Sequence, residues 1–179
     1  MSVTHLSMDA LEAALPLILE SPKDSGTLEL IVRRPTADTR EAIDTGILSL
    51  ADGLVGDSWR ARSGGAGPET QITLMNTRAI GVIAQERERW ALAGDQLYVD
   101  LDLSDENVPP GTLLGVGTSV LEVSVQPHTG CKKFVARFGL DAMKFVNSPQ
   151  GRALHLRGIY AKVVQAGAIA RGDTITKIR

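Results

Sequence analysis

Apolar and polar residues alternate through Leu28, Leu30 and Val32, and this period of two predicts a strand over 27–34 that Pro35 ends. Ahead of it, residues 8–20 carry apolar positions at helical spacing, with Asp9 and Glu12 in the first turn and Pro16 placed to kink or shorten the helix. Residues 47–54 read as extended, and Gly53-Leu54-Val55-Gly56-Asp57 as a tight bend that depends on its glycines. A short strand over 71–75 runs to Asn76. That residue suits the cap of a helix reaching about Trp90, which would bury Ile80, Ile83, Ala84 and Trp90 and leave 86–89 as a solvated end. Strands then recur at 98–103, 112–116, 120–125, 158–165 and 174–178, punctuated by Pro109-Pro110-Gly111, Gly167 and Gly172-Asp173, with helices between them at 132–139 and from 141 onward. Many short strands separated by turn residues predict a mixed, mainly β fold: a β-barrel over 27–179 with peripheral α-helices, and a helical extension over 1–26 packed on it.

The 179 residues, 43% of them apolar, suit one compact domain with an ample core. No run reaches the roughly 18 consecutive apolar residues of a membrane helix, and the first residues lack a basic region followed by an apolar signal core. One cysteine makes no intramolecular disulfide. These features predict a soluble, cytoplasmic protein with no membrane partner. Two glycine-rich segments invite a nucleotide reading and fail it. Residues 63–68 lack the Gly-Lys-Ser/Thr ending of a P-loop and read as a mobile loop or lid, and Gly115-Val116-Gly117 lies between extended segments, where a bulge or turn fits better than a dinucleotide fingerprint.

Cys131 is the chain's candidate for chemistry. It lies in Gln126-Pro127-His128-Thr129-Gly130-Cys131-Lys132-Lys133-Phe134, between an extended run and a helix, where helix N–H groups and two lysines favour a thiolate below the free-cysteine pKa of about 8.5. A lone cysteine often packs as a small hydrophobe. Here Pro127, Gly130 and the lysines mark a turn at a surface or cleft, at the mouth of the barrel where strand 120–125 hands over to the helix. Such a sulfur can ligate a soft metal or carry a sulfur atom. His128, three residues before it, can act as base in a Cys-His hydrolase or transferase, or can be a turn residue held by backbone. The scattered histidines give no structural zinc spacing.

Charge is divided unevenly about this turn. Residues 1–130 hold 9 Lys and Arg against 19 Asp and Glu, a net of −10, whereas residues 131–179 hold 10 against 2, a net of +8. The basic share, among it Lys132, Lys133, Arg137, Lys144, Arg152, Arg157 and Lys162, points either to an anion held near the sulfur or to a solvated face paired with the acidic half. An acidic overall balance and 4% aromatic residues argue against a nucleic-acid partner. Asp57, after its glycine bend, can orient Arg60, Arg62 or a ligand amine, or can bond its own backbone as a turn-former. Trp59 can cover the cleft or cap the core.

The order of these pieces resembles the MOSC domain family, named for the C-terminal domain of molybdenum-cofactor sulfurases. The likeness spans about Leu28 to Ile178. It runs through Gly53-Leu54-Val55-Gly56-Asp57, Gln71-Ile72-Thr73-Leu74, Pro110-Gly111-Thr112, the lone Cys131 followed two residues on by Lys133, and Arg157-Gly158-Ile159-Tyr160-Ala161 with Gly167 and Gly172-Asp173. The resemblance implies a β-barrel whose cysteine, here Cys131, binds the molybdenum of a pterin cofactor or carries sulfane sulfur as a persulfide. Lys133, Arg34 and Arg152 or Arg157 would then hold the phosphate of that molybdenum cofactor (molybdopterin), with Asp57 and His128 beside it. It implies further a reductase of N-hydroxylated small molecules fed by a separate electron donor protein, or a sulfur carrier served by a sulfur donor protein; a non-catalytic anion-binding barrel is the alternative. Two departures from the stand-alone relatives stand out: Gly130 and His128 occur where proline and arginine are frequent, and Gly94-Asp95-Gln96-Leu97 where Gly-Glu-Asn-Leu is.

Overall fold

A computed structural model of the chain describes residues 3–62 and 67–178. Its strands are β1 (Ser25–Arg33), β2 (Glu41–Ile43), β3 (Thr45–Ser49), β4 (Gly53–Leu54), β5 (Ile72–Asn76), β6 (Leu97–Asp100), β7 (Leu113–Val116), β8 (Ser119–Val123), β9 (Ile159–Gln165), β10 (Gly167–Ala170) and β11 (Thr174–Lys177). Seven of them close a barrel in the order β1-β11-β7-β8-β9-β5-β6 and back to β1, with β2 attached to the end of β1. Every pairing is antiparallel except β5 with β6. A small second sheet, β10-β3-β4, lies beside it. The mainly β barrel read from the sequence is therefore present. None of the described helices is long and apolar enough to cross a membrane.

β1 shows how the chain serves two cores. A bulge between Leu28 and Leu30 shifts its register against β6, so Leu28 and Ile31 point into the barrel while Leu30 and Val32 meet the helices outside. The simple alternation expected through Leu28, Leu30 and Val32 is thereby corrected: one extra residue changes which face each side chain occupies. The outer core joins Val32, Met75 and Tyr98 to the helices α1 (Met8–Ala13), α2 (Leu15–Leu19), α4 (Thr77–Ala84), α5 (Lys132–Phe138) and α6 (Leu140–Asn147); two short helices, α3 (Trp59–Arg62) and α7 (Pro149–Ala153), add no side chain to it, although α7 packs on α6 through Gly151.

Local chemistry sets most boundaries. Ser7 caps α1, and the expected break falls at Ala14, with Pro16 in the first turn of α2. Asn76 caps α4 by accepting from the Ala79 N–H at 2.9 Å. The helix does not reach Trp90. It stops at Gln85, whose φ is 66°, and a 3₁₀ stretch, Arg87–Ala93, doubles back so that Trp90 stacks on Tyr98 and its carbonyl accepts the Tyr98 hydroxyl at 3.0 Å. The run expected as one extended piece over 47–54 is instead the hairpin β3–β4. Its exit is the expected bend, with Gly53 and Gly56 at φ 70° and 89°, a conformation that delivers Asp57 to the barrel mouth. Residues 63–66, most of the glycine-rich loop, lie outside the described residues.

Candidate functional site

One end of the barrel opens into a cleft of about 340 Å³. The end of β1 brings Arg34, the following loop Arg40, α3 Arg62, the turn before β6 Gly94, α5 Lys133 and Arg137, and the start of β9 Arg157 and Tyr160; Cys131 and His128 come from the β8–α5 turn. Six cationic side chains thus line one hollow, and no carboxylate is among its lining residues.

Two acids sit beneath the cations. Asp57, its side chain fully buried, accepts from Arg34 Nε at 2.9 Å and Nη2 at 2.8 Å, from the Arg34 backbone N–H at 2.8 Å and from the Trp59 N–H at 2.9 Å. Burial pulls this carboxyl upward, but the hydrogen bonds and charge of Arg34 outweigh it and hold the pKa below the ordinary aspartate value. Asp57 is thus both turn-former and anchor, and its arginine partner is Arg34 rather than Arg60 or Arg62. A third Arg34 bond, Nη1 to the Gly94 carbonyl at 2.9 Å, ties β1 to the loop before β6.

The second acid, Asp95, is wholly buried and accepts from Arg157 Nη1 at 2.6 Å, while Arg157 Nη2 donates to the Ala93 carbonyl at 2.8 Å and the guanidinium lies 5.2 Å over the Phe134 ring. His128 packs on Tyr160, ring centroids 4.4 Å apart, with Nδ1 facing Asp95 Oδ1 at 3.6 Å. That distance is too long for a hydrogen bond. Asp95 Oδ1, His128 Nδ1 and Arg157 Nε are all buried without a hydrogen-bond partner among the described residues. Burial raises the Asp95 carboxyl, with Arg157 acting in the opposite direction. Burial, reinforced by the charges of Arg157 and Arg34, drives His128 well below the usual histidine pKa, so the ring is neutral. No hydrogen bond joins it to Cys131 among the described residues. Gly158 allows β9 to start here: at φ 107° a Cβ would run into the Leu74 carbonyl.

Cys131 occupies the N-cap position of α5 and is exposed. Its sulfur closes no cap hydrogen bond by strict geometry. Partial burial favours the thiol, yet the N–H groups of Phe134 and Lys133 and the charges of Arg157 and Arg137 prevail and lower its pKa. Asn147 fixes the turn, accepting from the Gly130 N–H at 3.0 Å and donating back to the Gly130 carbonyl at 3.4 Å. A proline at position 130 would lack that N–H.

Of the residues singled out from sequence, Cys131, Lys133, Arg34, His128 and Arg157 line the cleft, and Asp57 lies beneath it holding Arg34. Arg152 does not line it: it is exposed on α7, beside a separate hollow of about 210 Å³ formed with Pro127, Val146 and His155. Lys162 pairs instead with Glu69 and Glu122. Trp59 stands in the cleft wall, its indole N–H donating to Thr70 Oγ1 at 3.0 Å. Sequence reasoning passed over Arg40 and Asp95 as site residues and named Arg62 only as a partner for Asp57; of these Asp95 had a further signal, in the Gly94-Asp95-Gln96-Leu97 departure. Among the described residues no group of three or more His, Cys, Asp or Glu side chains is placed to hold a metal ion, so a metal beside Cys131 would have one protein ligand and a second scaffold.

The site is that of a closed barrel presenting an accessible thiol within a cationic mouth. The family model of the MOSC domain matches residues 61–176, and the chain belongs to that family. No curated protein matches it. Solved structures show the same fold. The YuaD protein from Bacillus subtilis superposes with a TM-score of 0.59 at 15% identity, covering 84% of this chain and 94% of that one. YiiM from Geobacillus stearothermophilus gives 0.61 at 15% identity, covering 86% and 75%. YiiM from Escherichia coli gives 0.58 at 19%, covering 86% and 70%.

Proposed function

We propose that this protein holds the molybdenum cofactor in its cleft, with Cys131 as thiolate ligand, and reduces N-hydroxylated small molecules with electrons from a separate donor protein. The observation that carries the reading is the convergence of six cationic side chains on one cleft around an accessible thiol of lowered pKa. The donor set fits the cofactor: a phosphate ester matches planar guanidinium forks and an ammonium, and a soft metal matches a thiolate. Lys133, Arg40, Arg62 and Arg137, none of them ion-paired among the described residues, would hold the phosphate. Arg34, braced by Asp57, would fix the wall on which they stand. Once bound, the cofactor supplies two-electron redox chemistry. His128, neutral and packed on Tyr160, would bound the substrate side without adding charge.

The exposure of Cys131 favours one second reading, a persulfide carrier reached by a sulfur donor protein. The test is reduction of an aromatic amidoxime by molybdenum-replete protein with a reduced viologen as electron source. Turnover that falls at least about a hundredfold in Cys131→Ser, or roughly 2.7 kcal/mol in the barrier, supports the reductase. Turnover unchanged by that substitution contradicts it, and sulfane sulfur on Cys131 without turnover favours the carrier.

A further inference from the structure

The cations of the cleft outnumber what one phosphate can satisfy. Arg34 and Arg157 are matched by Asp57 and Asp95. The other four meet only neutral acceptors or none among the described residues: Arg40 donates to the Thr39 carbonyl at 3.1 Å, Arg62 to Ser58 Oγ at 2.8 Å and Arg137 to the Leu92 carbonyl at 2.8 Å, and Lys133 has no side-chain bond. A phosphate monoester brings about −1.5 to −2 and three terminal oxygens, which would leave roughly half of this charge uncompensated.

Their placement is convergent. A Cβ built on Gly94 would lie 3.5 Å from Arg40 Nη2 and 3.8 Å from Arg137 Nη1, and the Gly94 carbonyl already accepts from Arg34. Three guanidinium heads therefore crowd one residue, a repulsive arrangement unless anions lie between them. Two donors are also buried without an acceptor among the described residues: Nε of Arg40 and Nε of Arg157, the latter on a side chain only 9% exposed. Leaving such donors unmatched is costly, so the fold holds them open for an acceptor.

We infer that the cleft is built to take two adjacent phosphoryl groups at once, a diphosphate rather than a single phosphate. One phosphoryl group lies between Arg40 and Arg137 beside Gly94, and the other toward Lys133 and the open Nε of Arg157 beside Cys131. This deepens the cofactor reading by fixing the number of phosphoryl groups, and it stands even if molybdenum is never bound. The ligand is then either a free nucleoside diphosphate or a cofactor extended by a diphosphate link.

The protein as purified is dialysed and titrated calorimetrically with inorganic pyrophosphate, phosphate and citrate at one ionic strength. The expected result is pyrophosphate at least about tenfold tighter than phosphate, equivalent to 1.4 kcal/mol, with citrate no better than phosphate. Arg40→Gln combined with Arg137→Gln should bring pyrophosphate and phosphate within about threefold while the ligand-free melting temperature holds, since each side chain donates to one backbone carbonyl and neither is ion-paired among the described residues. Equal binding of phosphate and pyrophosphate overturns the inference, and so does citrate matching pyrophosphate, which would mean diffuse attraction. Acid release from undialysed protein separates the sources: nucleotide without pterin means a nucleoside diphosphate, and nucleotide with pterin an extended cofactor. A molybdenum pterin with one phosphate overturns the diphosphate and leaves the cofactor reading intact, whereas pyrophosphate selectivity in protein that never acquires molybdenum does the reverse.

Discussion

Two aspartate–arginine pairs lie beneath the same cleft, and they are finished to different degrees. In Arg34–Asp57 the carboxylate accepts from two side-chain and two backbone N–H groups. In Arg157–Asp95 one carboxylate oxygen, the guanidinium Nε and the facing His128 Nδ1 are buried and unmatched among the described residues. A buried charge pair stabilises only when its remaining donors and acceptors are also satisfied. The first pair is therefore a brace that locks β1 to the bend after β4. The second, next to His128 and Cys131, keeps capacity that the fold leaves unused. Unused hydrogen-bonding capacity concentrated at one side of a cleft is where a ligand or proton transfer would act.

The contrast is broken most directly by removing each acid. Asp57→Ala leaves Arg34 buried without a counter-charge and should cost about 3–5 kcal/mol in denaturant unfolding. Asp95→Asn removes a pair that is already incomplete and should cost less, about 1–3 kcal/mol. A larger loss at Asp95 than at Asp57 would reverse the assignment of brace and site.

Acidification sharpens the same comparison. His128 has a folded-state pKa below its unfolded value near 6.5, so its contribution is present above that value and is lost as pH falls toward the folded one. Asp57, likewise depressed, loses its contribution only at lower pH, below the ordinary aspartate range. Melting temperature should therefore fall between about pH 7 and 5, and His128→Gln should flatten that segment while leaving the more acidic one. An unchanged slope would mean that His128 does not titrate with unfolding.

The smallest effect is expected at the rim. Arg137→Gln should shift ligand-free stability by no more than about 0.5 kcal/mol, because its side chain bonds one exposed carbonyl.

Much of this was legible beforehand because it is written locally. The Cys131 turn, the Asn76 cap, the break near Pro16 and the Gly53–Asp57 bend depend on neighbours in sequence. What escaped depends on registers and loops. The bulge at β1 reassigns Leu30 and Val32 to the outer core, Gln85 turns the chain back toward Tyr98, and β10 was hidden because Gly167 read as punctuation although it opens a strand paired with Leu48. The site followed the same rule. Nearness to Cys131 in sequence pointed to Lys133 and Arg157, which line the cleft, and equally to Arg152, which α7 carries elsewhere. Arg40, from a loop, and Arg62, from α3, reach the cleft from about 90 and 70 residues before the cysteine, and only barrel closure brings them there.

The central claim is that Cys131 and its cationic cleft form one cofactor site. It is tested most directly by molybdenum and sulfane-sulfur stoichiometry in protein purified gently from a host that makes molybdenum cofactor, beside Cys131→Ser. The account predicts near-stoichiometric molybdenum in the parent protein and its loss in the variant, with both folded alike. Neither molybdenum nor sulfane sulfur in the parent, or molybdenum retained in full by the variant, would contradict it.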